Sequence, residues 1–185
     1  MIRIVGGLYR GRKINVPTGK NVKATSDKVR EAIFNILSTE LNWKELTALD
    51  LYSGSGSLGL EALSRGAKKA IFIEISNKNI GTIKKNIELI SAEQNRVEMI
   101  QNRALQWIPH FFDSEFKCVA FLDPPFSSNE YDPILEKISI ISVVKKGSFI
   151  VVQSPKSRKI LIPKNLEILK HRRYGSVIIH ILQKY

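Results

Sequence analysis

The chain holds one cysteine in 185 residues, Cys118, so it has no internal disulfide to draw on. A lone thiol inside an apolar run reads as a small core hydrophobe. Apolar runs are short: none approaches the roughly 18–20 residues that span a bilayer. The opening Met1-Ile2-Arg3-Ile4-Val5-Gly6 lacks the apolar stretch and cleavage site of a signal peptide. Together these absences give the expectation of a cytoplasmic protein with no membrane partner. His110, His171 and His180 show no metal-ligand spacing and no cysteine cluster accompanies them, so no metal is expected. Trp43 and Trp107 read as packing residues. With neither repeats nor a low-complexity linker, the length suits one α/β unit with a sizeable core.

Acidic residues are also scarce, 17 against 29 basic ones, and the imbalance is uneven. Residues 1–30 carry eight basic side chains and one acid. Residues 145–185 carry ten basics and one acid, while 31–144 carry eleven basics and fifteen acids. Both ends are basic and the middle is slightly acidic, which suggests a polyanion laid along the ends. A generic solubilising surface would have the same composition.

From about residue 46 the chain alternates strand and helix in the rhythm of a parallel sheet. Strands are predicted near 46–50, 70–74, 97–101, 118–122 and 147–153, and helices near 57–65, 77–91, 103–108 and 131–142. An amphipathic helix precedes them from Ser26 to Leu41, with Ser26 or Asp27 as its cap. Two short strands, Arg3–Val5 and Arg12–Val16, open the chain and close on Pro17-Thr18-Gly19. After Gly147 the helices stop. Leu166–Arg173 and Ser176–Gln183 read as an antiparallel hairpin on the sheet edge, turning at Tyr174-Gly175. The expected division is a basic β extension over 1–24 and a Rossmann-like unit over 25–185.

Two loops carry the chemistry. Asp50-Leu51-Tyr52-Ser53-Gly54-Ser55-Gly56-Ser57-Leu58-Gly59 leaves one strand and opens a helix, and Gly54 to Gly59 match G-x-G-x-x-G. Glu74 ends the next strand, where an acid suits two ribose hydroxyls. That pattern alone fits a nicotinamide dinucleotide. Asp50 argues against it, because a carboxylate before the glycine turn would repel a pyrophosphate and welcome a cation such as the ammonium end of S-adenosylmethionine. The chain is also short for the separate substrate domain of a dehydrogenase. The second loop is Asp123-Pro124-Pro125-Phe126. Prolines fix φ and lack N–H, so this loop reads as stiff, with carbonyls that point outward unpaired. A carboxylate, a carbonyl and a flat ring at a strand end can grip a base and accept hydrogen bonds from its amino group. Asp50, Glu74 and Asp123 all fall at strand carboxyl ends, where open α/β sheets bind ligands.

These residues bring the chain to a family. It resembles the bacterial RsmD family, the 16S ribosomal RNA guanine-N2 methyltransferases named for guanine 966. The resemblance rests on Arg3-Ile4-Val5-Gly6-Gly7 with Tyr9-Arg10-Gly11-Arg12-Lys13, on Thr25 with Asp27-Lys28-Val29-Arg30-Glu31 and Phe34, and on Gly54 to Ala67. It extends to Glu74, Asn86 and Asp123 to Phe126, and so spans the chain. The family's usual Arg-Pro-Thr reads Lys23-Ala24-Thr25 here. The resemblance implies a Rossmann-like methyltransferase fold and S-adenosylmethionine as donor, with S-adenosylhomocysteine as product. It implies 16S rRNA as partner, in the small ribosomal subunit or an assembly intermediate, and no obligate protein partner. Asp50, Tyr52, Gly54, Ser55, Gly56 and Glu74 would hold the donor, with Asn102, Arg103 and Ala104 near its adenine. Asp123, Pro124 and Phe126 would hold the target base. Thr25, Arg30 and Glu31 would lie near donor or base, and Arg10, Arg12 and Lys13 would meet RNA. Two other readings stay open: an adenine-N6 methyltransferase of DNA or RNA, and a non-catalytic RNA-binding or assembly module.

Overall fold

The computed structural model describes residues 1–17, 25–108, 116–141 and 144–185. Lys23, Ala24, Thr18, Gly19 and His110 lie outside the described residues. A seven-stranded sheet runs in the order β5-β4-β3-β6-β7-β9-β8. Its strands are β3 (Thr47–Asp50), β4 (Lys69–Glu74), β5 (Val97–Gln101), β6 (Cys118–Leu122), β7 (Phe149–Pro155), β8 (Leu166–Tyr174) and β9 (Val177–Lys184). The five strands from β5 across to β7 are parallel, and β9 pairs antiparallel with both β7 and β8. The mainly parallel sheet with a C-terminal hairpin at its edge is the one the alternation predicts.

Helices cover both faces. On one, α1 (Asp27–Glu40), α2 (Ser57–Ser64) and α3 (Asn77–Leu89) pack through Phe34, Leu37, Leu60, Ile83 and Ile87 onto Phe72, Phe121 and Val151. On the other, α4 (Ala104–Trp107) and α5 (Tyr131–Ile140) bring Trp107, Tyr131, Ile134 and Ile138 onto Leu49, Ile71, Ala120 and Ile150. The near-continuous apolar runs of β4, β6 and β7 follow from this burial on two sides. Trp43, Trp107 and Cys118 are buried, as their packing readings require. Among the described residues no helix is long and apolar enough to cross a membrane.

Side-chain caps open two of the helices, α1 and α3. Ser26 Oγ accepts from the Val29 N–H (3.4 Å) to open α1, and Ser76 Oγ does the same for Asn79 at α3. The opening strands are shorter than predicted. β1 (Ile2–Arg3) and β2 (Lys13–Ile14) pair for two residues each. Ile4 N–H still bonds Arg12 O across the turn (2.9 Å), and helix side chains take donors beyond the paired residues. Glu61 Oε2 accepts from Val5 N–H (2.8 Å), and Asn86 Oδ1 accepts from Asn15 N–H (2.7 Å). Ile4, Tyr9 and Ile14 join the same core as α2 and α3.

Strand β3 pairs with β4 on one side and β6 on the other, so the chain reverses its direction across the sheet there. The crevice at such a reversal, outside the strand carboxyl ends, is where this architecture places ligands.

Candidate active site at the sheet rim

A cleft of about 660 Å³ opens at that reversal, lined by the loops after β3, β4, β5 and β6, by Gln153 on β7 and by the turn between β8 and β9. The glycine turn forms its floor. Gly54 and Gly56 adopt φ of 53° and 76°, the left-handed region that a side chain disfavours. Gly59 is needed for another reason: a Cβ there would stand 2.3 Å from the Phe72 ring, so its absence lets α2 press onto the sheet. The two flanking acids hold the turn. Asp50 Oδ2 accepts from Gly59 N–H (3.0 Å), and Glu74 accepts from Gly54 N–H (2.8 Å) and Ser76 N–H (2.9 Å). Each Glu74 oxygen keeps lone-pair capacity for further donors such as ribose hydroxyls.

Asp50 is almost fully buried, and burial pushes its carboxyl up to about 7. The Gly59 N–H draws it down, while the charges of Asp123 and Glu74 push it up further. A carboxylate desolvated beside two other acids favours either a proton or a nearby cation. The cleft is therefore electrostatically suited to a positively charged ligand.

The opposite wall is the Asp123–Phe126 loop, which leaves β6. Thr25 Oγ1 donates to Asp123 Oδ2 (3.0 Å), and Gln153 Nε2 donates to Thr25 Oγ1 (2.9 Å). Gln153, near the end of β7, is buried. Because Thr25 has one hydroxyl proton and Asp123 only accepts, Gln153 fixes where that proton points. The loop carbonyls are not unpaired, contrary to the sequence expectation. The Tyr131 hydroxyl donates to Pro124 O (3.1 Å) and Ser128 N–H to Pro125 O (2.7 Å), because α5 starts close enough for its first residue to reach back. Pro124 O retains a second lone pair. Phe126 is 37% exposed, its ring at the cleft mouth.

The remaining candidate residues divide. Tyr52, Ser55, Asn102, Arg103, Ala104 and Thr25 all line the cleft. The Tyr52 hydroxyl donates to Glu130 (2.8 Å), and burial, then this bond, pushes the phenol up. Asn102 Oδ1 accepts from Arg103 N–H (2.7 Å), so its amide nitrogen remains for a ligand. Arg30 corrects the sequence expectation of a base or RNA contact. Its side chain is fully buried and bonds Thr25 O (2.7 Å), Asp27 (2.8 Å) and Arg3 O. It lies on the core face of α1 beside Ile33, Phe34 and Leu37, and holds Thr25 from behind. Glu31 is exposed on α1 and does not line the cleft.

Arg10 and Arg12, in the turn between β1 and β2, and Lys13, which opens β2, are exposed. That turn sits against the far ends of α2 and α3: Leu8 N–H bonds Ser64 O, and the Arg12 guanidinium bonds Ile90 O and covers the Tyr9 ring. Those helices begin at the rim, so these basic residues lie toward the opposite end of the strands, on the same face as α2 and α3.

Sequence reasoning missed Gln153 and the hairpin turn Tyr174-Gly175-Ser176, which also lines the cleft. Their signal was faint: one amide in the apolar run Phe149–Val152, and a turn assigned to the sheet edge. Because β9 runs antiparallel to β7, that turn falls on the same rim as the carboxyl ends of β6 and β7. Elsewhere burial pushes the Cys118 thiol up to about 12, leaving it inert. His180 is pushed down to about 4 by burial and by His171, so it stays neutral. Among the described residues no group of three or more His, Cys, Asp or Glu could hold a metal.

The family model described as Conserved hypothetical protein 95 matches residues 2–183. The chain is similar to the Haemophilus influenzae protein named Ribosomal RNA small subunit methyltransferase D, 33% identical over 98% of this chain and 93% of that one. The Escherichia coli K12 protein of the same name is 30% identical over 99% of this chain and 90% of its own length. A solved Haemophilus influenzae structure, 31% identical, superimposes with a TM-score of 0.83 over 99% of this chain and 98% of that one.

Proposed function

Because this chain belongs to the Conserved hypothetical protein 95 family, together with the ribosomal RNA small subunit methyltransferases D, we propose that it transfers a methyl group from S-adenosylmethionine to the exocyclic N2 amine of a guanine in 16S ribosomal RNA. The observation that carries this reading is the placement of Asp50, Glu74 and Asp123 on one rim around one cleft.

The residues present fit the donor. Glu74 at the end of β4 offers acceptors for ribose hydroxyls, and the open glycine turn leaves room for a ligand against backbone. The buried Asp50 favours a cation, and Asn102 to Ala104 offer an amide and a backbone toward adenine. S-adenosylmethionine supplies, when bound, a methyl group already attached to a good leaving group. What the chain adds is alignment of the nucleophile.

A guanine N2 amine is a weak nucleophile because its lone pair is conjugated into the ring. Asp123 and Pro124 O accept its N–H hydrogens and draw the nitrogen toward a tetrahedral shape. Phe126 stacks on the base and fixes its plane. The Gln153–Thr25 pair sets the orientation of Asp123, and Tyr131 sets that of Pro124. Guanine shows two adjacent donors, N1–H and the N2 amine, which a carboxylate accepts together, whereas adenine shows an amine beside an acceptor. Asp123 therefore favours guanine. The proton on nitrogen leaves after transfer, so Asp123 need not act as a base before it. Reaching this edge requires an unpaired or flipped nucleotide.

The test is transfer of labelled methyl from S-adenosylmethionine to small ribosomal subunits that lack the modification. Wild-type protein labels 16S rRNA and Asp123→Ala does not, although it still folds and binds donor. Equal labelling by the two proteins would remove Asp123 from the site.

A further inference from the structure

The loop after β7, Lys156-Ser157-Arg158-Lys159, is anchored to two walls of the cleft at once. Its first N–H, on Lys156, bonds Ser176 O in the hairpin turn (2.9 Å). The Arg158 guanidinium donates to Ser128 O (2.7 Å), just past the Asp123–Phe126 loop, and covers the Tyr131 ring at 4.7 Å. Ser176 and Ser128 both line the cleft. The loop is thus a buttress between the base-side wall and the hairpin turn, and Arg158 is consumed in building it.

Lys156 and Lys159 are not consumed. Both are exposed and neither donates a side-chain hydrogen bond among the described residues. On β8, just before the hairpin turn, stand Arg172 and Arg173, also exposed, each with one bond to nearby backbone: Arg172 to His171 O (3.0 Å), Arg173 to Gly175 O (3.1 Å). A guanidinium has five N–H donors, so most of each remains available. The single acid of residues 145–185, Glu167, pairs across from Gln183, at the opposite end of the hairpin from the turn. The base-side acids Asp123, Glu130 and Asp132 accept hydrogen bonds from Thr25, the Tyr52 hydroxyl and Leu161 N–H, and none of them forms an ion pair with these four cations. The rim is therefore divided: carboxylates at the ends of β3, β4 and β6, and cations with no ion pair among the described residues outside β7 and β8.

We propose that Lys156, Lys159, Arg172 and Arg173 bind the phosphates that flank the target nucleotide, so the RNA backbone crosses the rim over the hairpin turn while one base enters the cleft. This rests on the reading of the cleft as a methyl-transfer site on RNA. A flipped base leaves its phosphates outside the pocket, within reach of the pocket's own edge, and this edge carries four cations. The Arg10–Lys13 turn lies against the far ends of α2 and α3, and would meet RNA more distant from the target.

The experiment measures binding of a 16S rRNA fragment by wild type and by the quadruple variant Lys156→Gln, Lys159→Gln, Arg172→Gln, Arg173→Gln, across a salt series. Each lost phosphate contact flattens the log–log salt slope by up to about 0.7 in the single-strand limit. The quadruple variant flattens the slope and raises KM for RNA, while S-adenosylmethionine affinity by calorimetry stays at the wild-type value and serves as the folding check. The triple variant Arg10→Gln, Arg12→Gln, Lys13→Gln raises KM less. Wild-type slope and KM in the quadruple variant would overturn the proposal. A wild type that binds no RNA would overturn the functional reading beneath it as well.

Discussion

Replacing Thr25 by valine isolates the hydrogen-bonded chain behind Asp123. Valine keeps the shape of threonine and removes only the hydroxyl. Two bonds go: Thr25 Oγ1 to Asp123 Oδ2 at 3.0 Å, and Gln153 Nε2 to Thr25 Oγ1 at 2.9 Å. The first runs to a charged acceptor on a half-buried rim. The second leaves an amide donor unsatisfied on a buried side chain, which costs about 1–3 kcal/mol. For a chain of this size each kcal/mol moves Tm by about 2–4 °C, so Thr25→Val should melt about 2–12 °C lower. Adding Gln153→Leu removes the stranded donor, and replacing both partners by apolar groups can be nearly neutral. The double variant should therefore melt above Thr25→Val alone. Activity should not follow stability. In both proteins Asp123 lacks its oriented donor, so kcat should stay down by about tenfold or more, equivalent to about 1.4 kcal/mol in the barrier. Donor affinity should hold. Calorimetric melting and single-turnover methyl transfer read the two quantities separately. A double variant less stable than Thr25→Val would refute the chain, as would recovery of kcat with recovery of Tm.

Glu74→Ala should weaken S-adenosylmethionine binding by about 1.5–3 kcal/mol, because a charged acceptor for the ribose is lost; unchanged affinity by titration would take Glu74 out of the donor site. Donor affinity should also climb with pH. Asp50 is held up at about 7 mainly by burial, so it is largely protonated at pH 6 and ionised at pH 8, and only the ionised form attracts a cation. Asp50→Asn should flatten that rise, and an equal rise in the variant would assign the titration elsewhere. The same shift has a sign for stability: an acid raised in the folded state disfavours folding progressively from its ordinary value up to about 7, then no further.

The sheet was legible because alternating apolar runs and helical spacing are local signals, and each acid at a strand end marks the rim that the topology assembles. The contacts that position those acids are not local. Gln153 and Thr25 are 128 residues apart, and a lone amide after Phe149–Val152 resembles a strand terminus. Pro124 looked unpaired because its partner, the Tyr131 hydroxyl, is the first residue of the following helix. Arg30 was expected near donor or base because the family resemblance put it there, within the basic residues 1–30. Helical spacing puts it on the same face as Ile33, Phe34 and Leu37, where backbone carbonyls and Asp27 solvate it. The two opening strands were read as longer; beyond their paired residues side chains of α2 and α3 take backbone donors, and no strand pattern carries that information.

The central claim is a reaction at one atom of one base. Small subunits that lack the modification, incubated with the protein and S-adenosylmethionine, can be digested to nucleosides and resolved by mass spectrometry. The account predicts N2-methylguanosine as the product, formed by wild type and absent with Asp123→Ala. N6-methyladenosine as the main product would contradict the match between a carboxylate and the two donors of guanine.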